Sequence, residues 1–292
     1  MAPVPGRVRV GPAGWYYSDW EGVVYPPRLR NRLEYLARFF EVLEINSSFY
    51  RPPSVEQSQS WLGKTASFPA FRFTAKLWRG FTHERERLSS QEGRDWERGV
   101  GPLLESGRLG ALLAQFPYSF HYTPENELYL RRLKRRFASW PLVLEVRHRS
   151  WNREKFFGFL REARIGFCNI DQPQVSYSLP STWLVTSPTA YLRLHGRNAA
   201  DWFRENAGRD QRYNYLYSDS QLDEWVERVA HMRNQAREVF VIANNHFRGQ
   251  AICNCLELRS KIEGRPVEVP EILPAVYPRL AKIILSRSGG SY

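Results

Sequence analysis

The sequence predicts an α/β fold of the (β/α)8, TIM-barrel-like kind, a single domain over residues 8–285 with flexible ends at 1–7 and 286–292. Three observations carry this. Eight short apolar or β-branched runs recur along the 292 residues, and seven of them are followed by helical periodicity. Regular alternation of this kind makes parallel strands joined by crossover helices. No strand-to-helix turn carries a GxGxxG or P-loop signature, which tells against the alternative, an open doubly wound sheet.

The elements follow in order. Val8 to Trp15 (VRVGPAGW) reads as the first strand, and an aromatic, proline-bearing loop leads to a helix near Leu33 to Phe39. Val42 to Ser47 is the second strand, with a helix over Val55 to Lys64. Arg72 to Leu77 is the third, with a helix over Gln91 to Arg108. Leu109 to Phe116 is the fourth, and Glu125 to Phe137 a helix with cations on its polar face. Leu142 to Trp151 (LVLEVRHRSW) is the fifth, with a helix over Asn152 to Ala163. Ile165 to Asp171 is the sixth; the Ser-, Pro- and Thr-rich stretch Gln172 to Pro188 has no helical period, so the sixth crossover is irregular. Ala190 to Gly196 is the seventh, followed by a long aromatic loop, Arg197 to Ser218, of a length suited to a lid, and a helix over Ser220 to Gln235. Glu238 to Asn245 is the eighth, and Gly249 to Lys261 the closing helix.

Composition narrows the class. Hydrophobic residues make up 42% and aromatics 14%, enough for a large core. The net charge of +12 fits either an arginine-rich solvated surface or a partner carrying phosphates. Three cysteines without framework spacing argue for a reducing compartment. The amino-terminal stretch MAPVPGRVRV lacks the apolar core of a signal peptide, and no apolar run approaches the ~18 residues of a membrane span. A cytoplasmic protein without a membrane partner is expected.

Side chains alternate along a strand, and a charge facing the outer helices of a barrel would be buried without water. Charged strand residues therefore belong in the lumen. This assigns Glu44, Asn46, Lys76, Gln115, Glu145, Arg147, Asp171, Arg193, His195 and Asn245 to one cluster, all at carboxyl ends of strands, where barrels keep their sites. Two readings stand: a ligand site, or a self-satisfied ion-pair network plugging the barrel. Lys76 is singled out because only six of the 42 lysines and arginines are lysine. It would be a point charge for phosphate, a low-pKa amine for a Schiff base, or the partner of Glu44 or Glu145. No organic cofactor motif is present. A divalent metal would find carboxylates at Glu44, Glu145 and Asp171, with His195, His148 and His83 nearby, but there is no HxH or HExxH and three fixed cations oppose it. Loop aromatics, among them Trp15, Tyr16, Trp20, Tyr50, Trp151, Trp202, Tyr213 and Tyr215, suit stacking on sugars or bases.

The segments GPAGWYYSDWEGVVYP, EINSSFYRPP, FRFTAKL with FTHERERL, LLAQFPYSF, EVRHRSW, YLRLHGR and NNHFRGQA occur in that order across Val8 to Leu258. In these the chain resembles the YecE-like family, domain of unknown function 72. The resemblance implies a TIM-barrel-like fold and no settled activity. The family's recurrent polar positions fall on Trp15, Glu44, Asn46, Tyr50, Arg51, Lys76, Thr82, His83, Gln115, Glu145, Arg147, His148, Trp151, Asp171, Arg193, His195, Gly196, Asn244, Asn245 and Gly249. Where the family usually has an acidic or small residue after the Asn pair, this chain has His246. The outline is also similar to barrel endonucleases that cut at abasic sites, by fold analogy alone.

Three functions fit these residues. The first is an enzyme on an anionic, phosphorylated or nucleotide-like substrate, bound through Lys76, Arg147 and Arg193, with Glu44 or Glu145 as general base, Asp171 as a further carboxylate and His195 as general acid. The second is a nucleic-acid-binding protein, phosphodiester-processing or not, motivated by charge and aromatic loops. The third is a non-catalytic ligand sensor.

Overall fold

In the computed structural model, which describes residues 4–86, 90–202, 204, 206 and 208–285, eight parallel strands stand where the periodicity places them. They are β1 (Arg7–Pro12), β2 (Val42–Ile45), β3 (Arg72–Lys76), β4 (Leu109–Gln115), β5 (Leu142–Glu145), β6 (Gly166–Asp171), β7 (Thr189–Leu194) and β8 (Glu238–Ala243). From β2 to β8 each pairs with its neighbour in sequence, and β1 pairs with β8 in parallel over its whole length. Between β1 and β2 the cylinder is joined at its carboxyl end, where Ala13 bridges Glu44 and the Gly14 N–H donates to the Glu44 carbonyl (2.8 Å). The fold is a nearly closed (β/α)8 barrel.

Seven helices follow seven of the strands: Arg32–Ala37, Val55–Lys64, Gln91–Glu105, Pro124–Arg136, Glu154–Glu162, Asp219–Arg233 and Gln250–Glu263. Their starts are written locally. Ser54, Ser90 and Thr123 each accept a hydrogen bond from the backbone N–H three residues on, and Ser218 and Gln221 form a reciprocal capping box. Apolar side chains from the outer strand faces and the helices form one continuous buried cluster.

The strands are shorter than expected, β5 most of all. β5 ends at Glu145 rather than at Trp151, because the backbone beyond it pairs with the helix-less crossover: Leu179 N–H donates to the Arg147 carbonyl (2.7 Å), Arg149 N–H to that of Tyr177 (2.9 Å), and His148 bridges Ser178. β1 stops at Pro12 and β8 at Ala243, where the chain turns away over the barrel mouth. Of the ends expected to be flexible, residues 1–3 and 286–292 lie outside the described residues, while Gly6 N–H already donates to the Arg233 carbonyl (2.7 Å) and Arg7 opens β1. After the last helix, Leu273 and Leu280 pack as fully buried side chains and Val267 bridges Ile284, an ordering the sequence pattern did not announce.

The β1–β2 seam needs a residue without a side chain. A Cβ on Gly11 would stand 1.9 Å from the Val42 carbonyl oxygen, whereas one on Gly63, in the helix Val55–Lys64, would meet nothing within 4 Å. Gly11→Ala is expected to lower unfolding free energy by about 1–3 kcal/mol through backbone displacement, and Gly63→Ala to raise it by about 0.5–1 kcal/mol. Urea denaturation of the two variants checks the pair.

Candidate functional site

The period of two along β7 places Tyr191, Arg193 and His195 on the lumen face, and Arg193 lies at the centre of the site. One terminal nitrogen donates to Glu44 Oε1 (2.7 Å) and the other to Glu145 Oε2 (2.8 Å). Arg147 takes the other oxygen of Glu145 through two nitrogens (3.0 and 2.8 Å). The Tyr191 hydroxyl donates to Glu44 Oε2 (2.8 Å) and shares a hydrogen bond with Thr74 Oγ1 (2.8 Å). Glu44, Glu145 and Arg193 are all buried, and a buried charge persists only when paired. Burial alone would raise the Glu145 carboxyl, but Arg193 and Arg147 outweigh it and hold the group well below the usual range. Burial opposes the charge on Arg193 too, and the two carboxylates override it, so the guanidinium stays protonated.

His195 sits beside this network with no exposed surface. Its Nδ1 lies 3.1 Å from the Asn244 amide nitrogen, which can only donate, so the ring proton is on Nε2 and faces Glu145 Oε1 at 3.6 Å. Burial, then Arg193, push its pKa down to about 3. The ring is neutral in neutral water, so the general-acid role expected for it does not fit this arrangement. The base role expected for Glu44 or Glu145 fits no better, since both lie beneath Arg193 and outside the cavity lining.

Above the network opens a cavity of about 780 Å³, within the size range of small-molecule sites. Of the residues expected at the site, Trp15, Asn46, Tyr50, Arg51, Lys76, His83, Gln115, Arg193 and Asn244 line it. Among the described residues its lining contains Arg51, Lys76, Arg193 and Arg212 and no carboxylate. Lys76 is half-buried; its Nζ rests 4.4 Å from the centre of the Phe49 ring and makes no hydrogen bond or ion pair among the described residues. The expected alternative, pairing with Glu44 or Glu145, is not what forms: Arg193 and Arg147 take the two oxygens of Glu145, and Arg193 and the Tyr191 hydroxyl those of Glu44. Burial, then Arg193, bring the Lys76 ammonium down to about 7. Burial, then Lys76, Arg147 and Arg79, take His83 down to about 4.

Four expected site residues stand elsewhere. On β6, Cys168 faces the lumen, with its Sγ 3.9 Å from Glu145 Oε2, so the alternate positions Asn169 and Asp171 face out. Asp171 accepts from Arg197 Nε (3.1 and 3.0 Å). Asn244 points inward, so its neighbour Asn245 points out and donates to the Tyr215 carbonyl (2.7 Å) and to Asn254 Oδ1 (2.9 Å), bracing the loop before the helix Asp219–Arg233. His148 bonds Ser150 and stacks near His121, 3.9 Å between ring centres. Trp151 is wholly buried and donates to the Phe120 carbonyl (2.6 Å). Conversely, Tyr191, Phe49, Gln57, Trp61 and Arg212 belong to the site and were not foreseen. Tyr191 was legible, two residues before Arg193 on one strand face; Trp61, on the helix Val55–Lys64, carried no such signal. The long loop Arg197 to Ser218 brings Tyr213 over His195 (6.3 Å between ring centres); its residues 203, 205 and 207 lie outside the described residues. Among the described residues no group of three His, Cys, Asp or Glu is arranged to hold a metal ion, and no helix is long and apolar enough to cross a membrane.

Fold and site together define a (β/α)8 barrel with a cationic, aromatic-walled cavity at the carboxyl ends of its strands. The family model described as "Protein of unknown function DUF72" matches residues 9–277, and the chain belongs to that family, in agreement with the resemblance carried by the sequence motifs. It is 30% identical over 263 residues to the UPF0759 protein YunF of Bacillus subtilis (strain 168), covering 85% of this chain and 92% of YunF. It is similar to a DUF72 family protein of Thermotoga maritima MSB8 (TM1631), at 36% identity and a TM-score of 0.77, over 88% of this chain and 99% of that one. A second solved DUF72 protein, EF0366 of Enterococcus faecalis V583, is 28% identical with a TM-score of 0.78, over 88% of this chain and 96% of its own.

Two stability outcomes follow from the buried network. Arg193→Met removes the shared cation, leaves Glu44 buried without one and is expected to cost about 3–5 kcal/mol. His195 and Glu145 hold fewer protons folded than unfolded, so unfolding free energy declines as pH falls, first below the ordinary histidine value of 6.5 and then below the ordinary glutamate value of 4.5. His195→Asn should flatten the upper part of that decline, at most about 1.4 kcal/mol per pH unit. Chemical denaturation across pH 4–8 measures both.

Proposed function

We propose that this protein is an enzyme acting on a small anionic substrate that carries a ring, phosphorylated or nucleotide-like, with proton transfer at Lys76. The observation that carries the reading is the cavity lining, in which cations and amides meet aromatic walls and no carboxylate is present among the described residues. A net charge of +12 favours the approach of such a substrate. Trp15 and Trp61, 5.8 Å apart edge to face, offer an apolar corner, and Arg193, Lys76 and Gln115 offer donors on the floor. An amine with a pKa about 7 gives and takes a proton near neutrality, which Glu145 and His195 do not.

A second reading is a single-stranded nucleic-acid binder. It is favoured by Tyr50, which is 68% exposed beside exposed Arg51 at the cavity rim, an aromatic and a cation placed for a base and its phosphate.

Calorimetry with a nucleoside, its 5′-monophosphate and a short single-stranded oligonucleotide separates the readings. The monophosphate is expected to bind at least about tenfold tighter than the nucleoside, the worth of roughly 1.4 kcal/mol. Gln115→Ala should weaken it. Between pH 7 and 9, where the phosphate is already dianionic, affinity should fall about tenfold as Lys76 loses its charge. Equal affinity for nucleoside and monophosphate would remove the anionic-substrate reading. Preference for the oligonucleotide with a steep salt dependence would favour the second.

A further inference from the structure

We propose that Lys76 is a nucleophile that condenses with an aldehyde or ketone on the anionic substrate, so that the substrate class is a negatively charged carbonyl compound held as an imine. This rests on the anion-site reading above and names its substrate more narrowly. The argument begins from what surrounds the amine. Lysines in barrel interiors are ordinarily locked as ammonium ions by a carboxylate, and this one has two in its neighbourhood, Glu44 and Glu145. Neither holds it: Arg193 and Arg147 take the two oxygens of Glu145, and Arg193 and the Tyr191 hydroxyl take those of Glu44. Its Nζ instead rests against the Phe49 ring and faces the cavity. Burial and the positive charge of Arg193 both disfavour the ammonium, so the free base is present near neutral pH.

The thiols do not compete. Cys168, Cys253 and Cys255 are buried, with burial pushing each thiol up, and none lines the cavity. The donors around Lys76 suit the rest of such a substrate. Gln115 turns its Oε1 toward Arg193 Nη1 (3.5 Å), which leaves its amide N–H groups for the ligand. Arg51 and Arg212 lie in the same lining to take the negative group.

The chemistry balances without an oxidant, a reductant or a metal. The Lys76 nitrogen attacks the carbonyl carbon, forming the C–N bond and a carbinolamine. The C–O bond then breaks, and the carbonyl oxygen leaves as water with the two hydrogens of the amine. One proton taken from solvent converts the imine to a cationic iminium. That cation draws electrons from the adjacent carbon, so the following step belongs to the class of proton removal, carbon–carbon cleavage or decarboxylation at that position.

The test uses the full chain and two probes, pyridoxal 5′-phosphate and glyoxylate, each an anionic aldehyde. Protein and probe are mixed at pH 7, reduced with borohydride and mapped by peptide mass spectrometry. An ordinary lysine is free base there at a fraction roughly a thousandfold below that of Lys76. Lys76 is expected to carry at least ten times the label of Lys64, Lys134, Lys155, Lys261 or Lys282, and inorganic phosphate should suppress it. Lys76→Arg should abolish this label while calorimetry still detects monophosphate binding. Label on Lys76 no greater than on the other lysines, from both probes, overturns the proposal; if monophosphate still binds, the anion-site reading survives that result. Loss of both label and binding sinks both.

Discussion

Arg193 is shared between Glu44 and Glu145 inside the barrel, and the character of the whole carboxyl end depends on that sharing. Taking three charges out of water costs several kcal/mol per ion, recovered only when the geometry pairs each of them closely. Strands β2, β5 and β7 must therefore present these side chains at one level of the cylinder. The seam between β1 and β2, closed through Ala13 and Glu44, fixes the height of the first. Tyr191, itself bonded to Thr74, takes the second oxygen of Glu44, so the network is satisfied from below as well as from the side.

The consequence for chemistry is a division of labour. The sequence offered two readings of its charged cluster, an ion-pair plug and a ligand site, and the lumen contains both, one on top of the other. The lower layer consumes both lumen carboxylates and leaves His195 neutral with its proton turned toward Glu145. The upper layer is left with cations, amides and aromatic walls. Lys76 lies between them, close enough to feel Arg193 and too late to claim a carboxylate. Membership in a family of unknown function is consistent with the fold and assigns no reaction.

Much of this was legible in the residues. Periodicity located all eight strands and the helices after seven of them, and the helix-less stretch Gln172 to Pro188 showed its irregularity in its composition. The parity of side chains placed Glu44, Lys76, Glu145, Arg193 and His195 in the lumen correctly. Parity failed at Asp171 and Asn245 because polar residues were read as inward whatever their register. Both faces of a barrel strand can bury a polar group when a loop supplies the partner, as Arg197 does for Asp171 and Tyr215 for Asn245. Pairings were beyond reach for another reason: which cation takes which carboxylate depends on distances across the lumen, and no local pattern encodes them. The same holds for Trp61, whose helix packs beside the cavity through the closure of the cylinder rather than through any signal of its own.

The central claim is that Arg193 leaves Lys76 as an unpaired amine, and the protonation of Lys76 itself reads this most directly. Carbon-13 labelling at lysine Cε, with assignment through Lys76→Arg, follows each of the six lysines separately by NMR as pH is varied. The account predicts a midpoint about 7 for Lys76, well below the ordinary lysine value of ~10.4. A Lys76 midpoint at or above that ordinary value would mean the amine is held by a carboxylate after all, and would contradict the account.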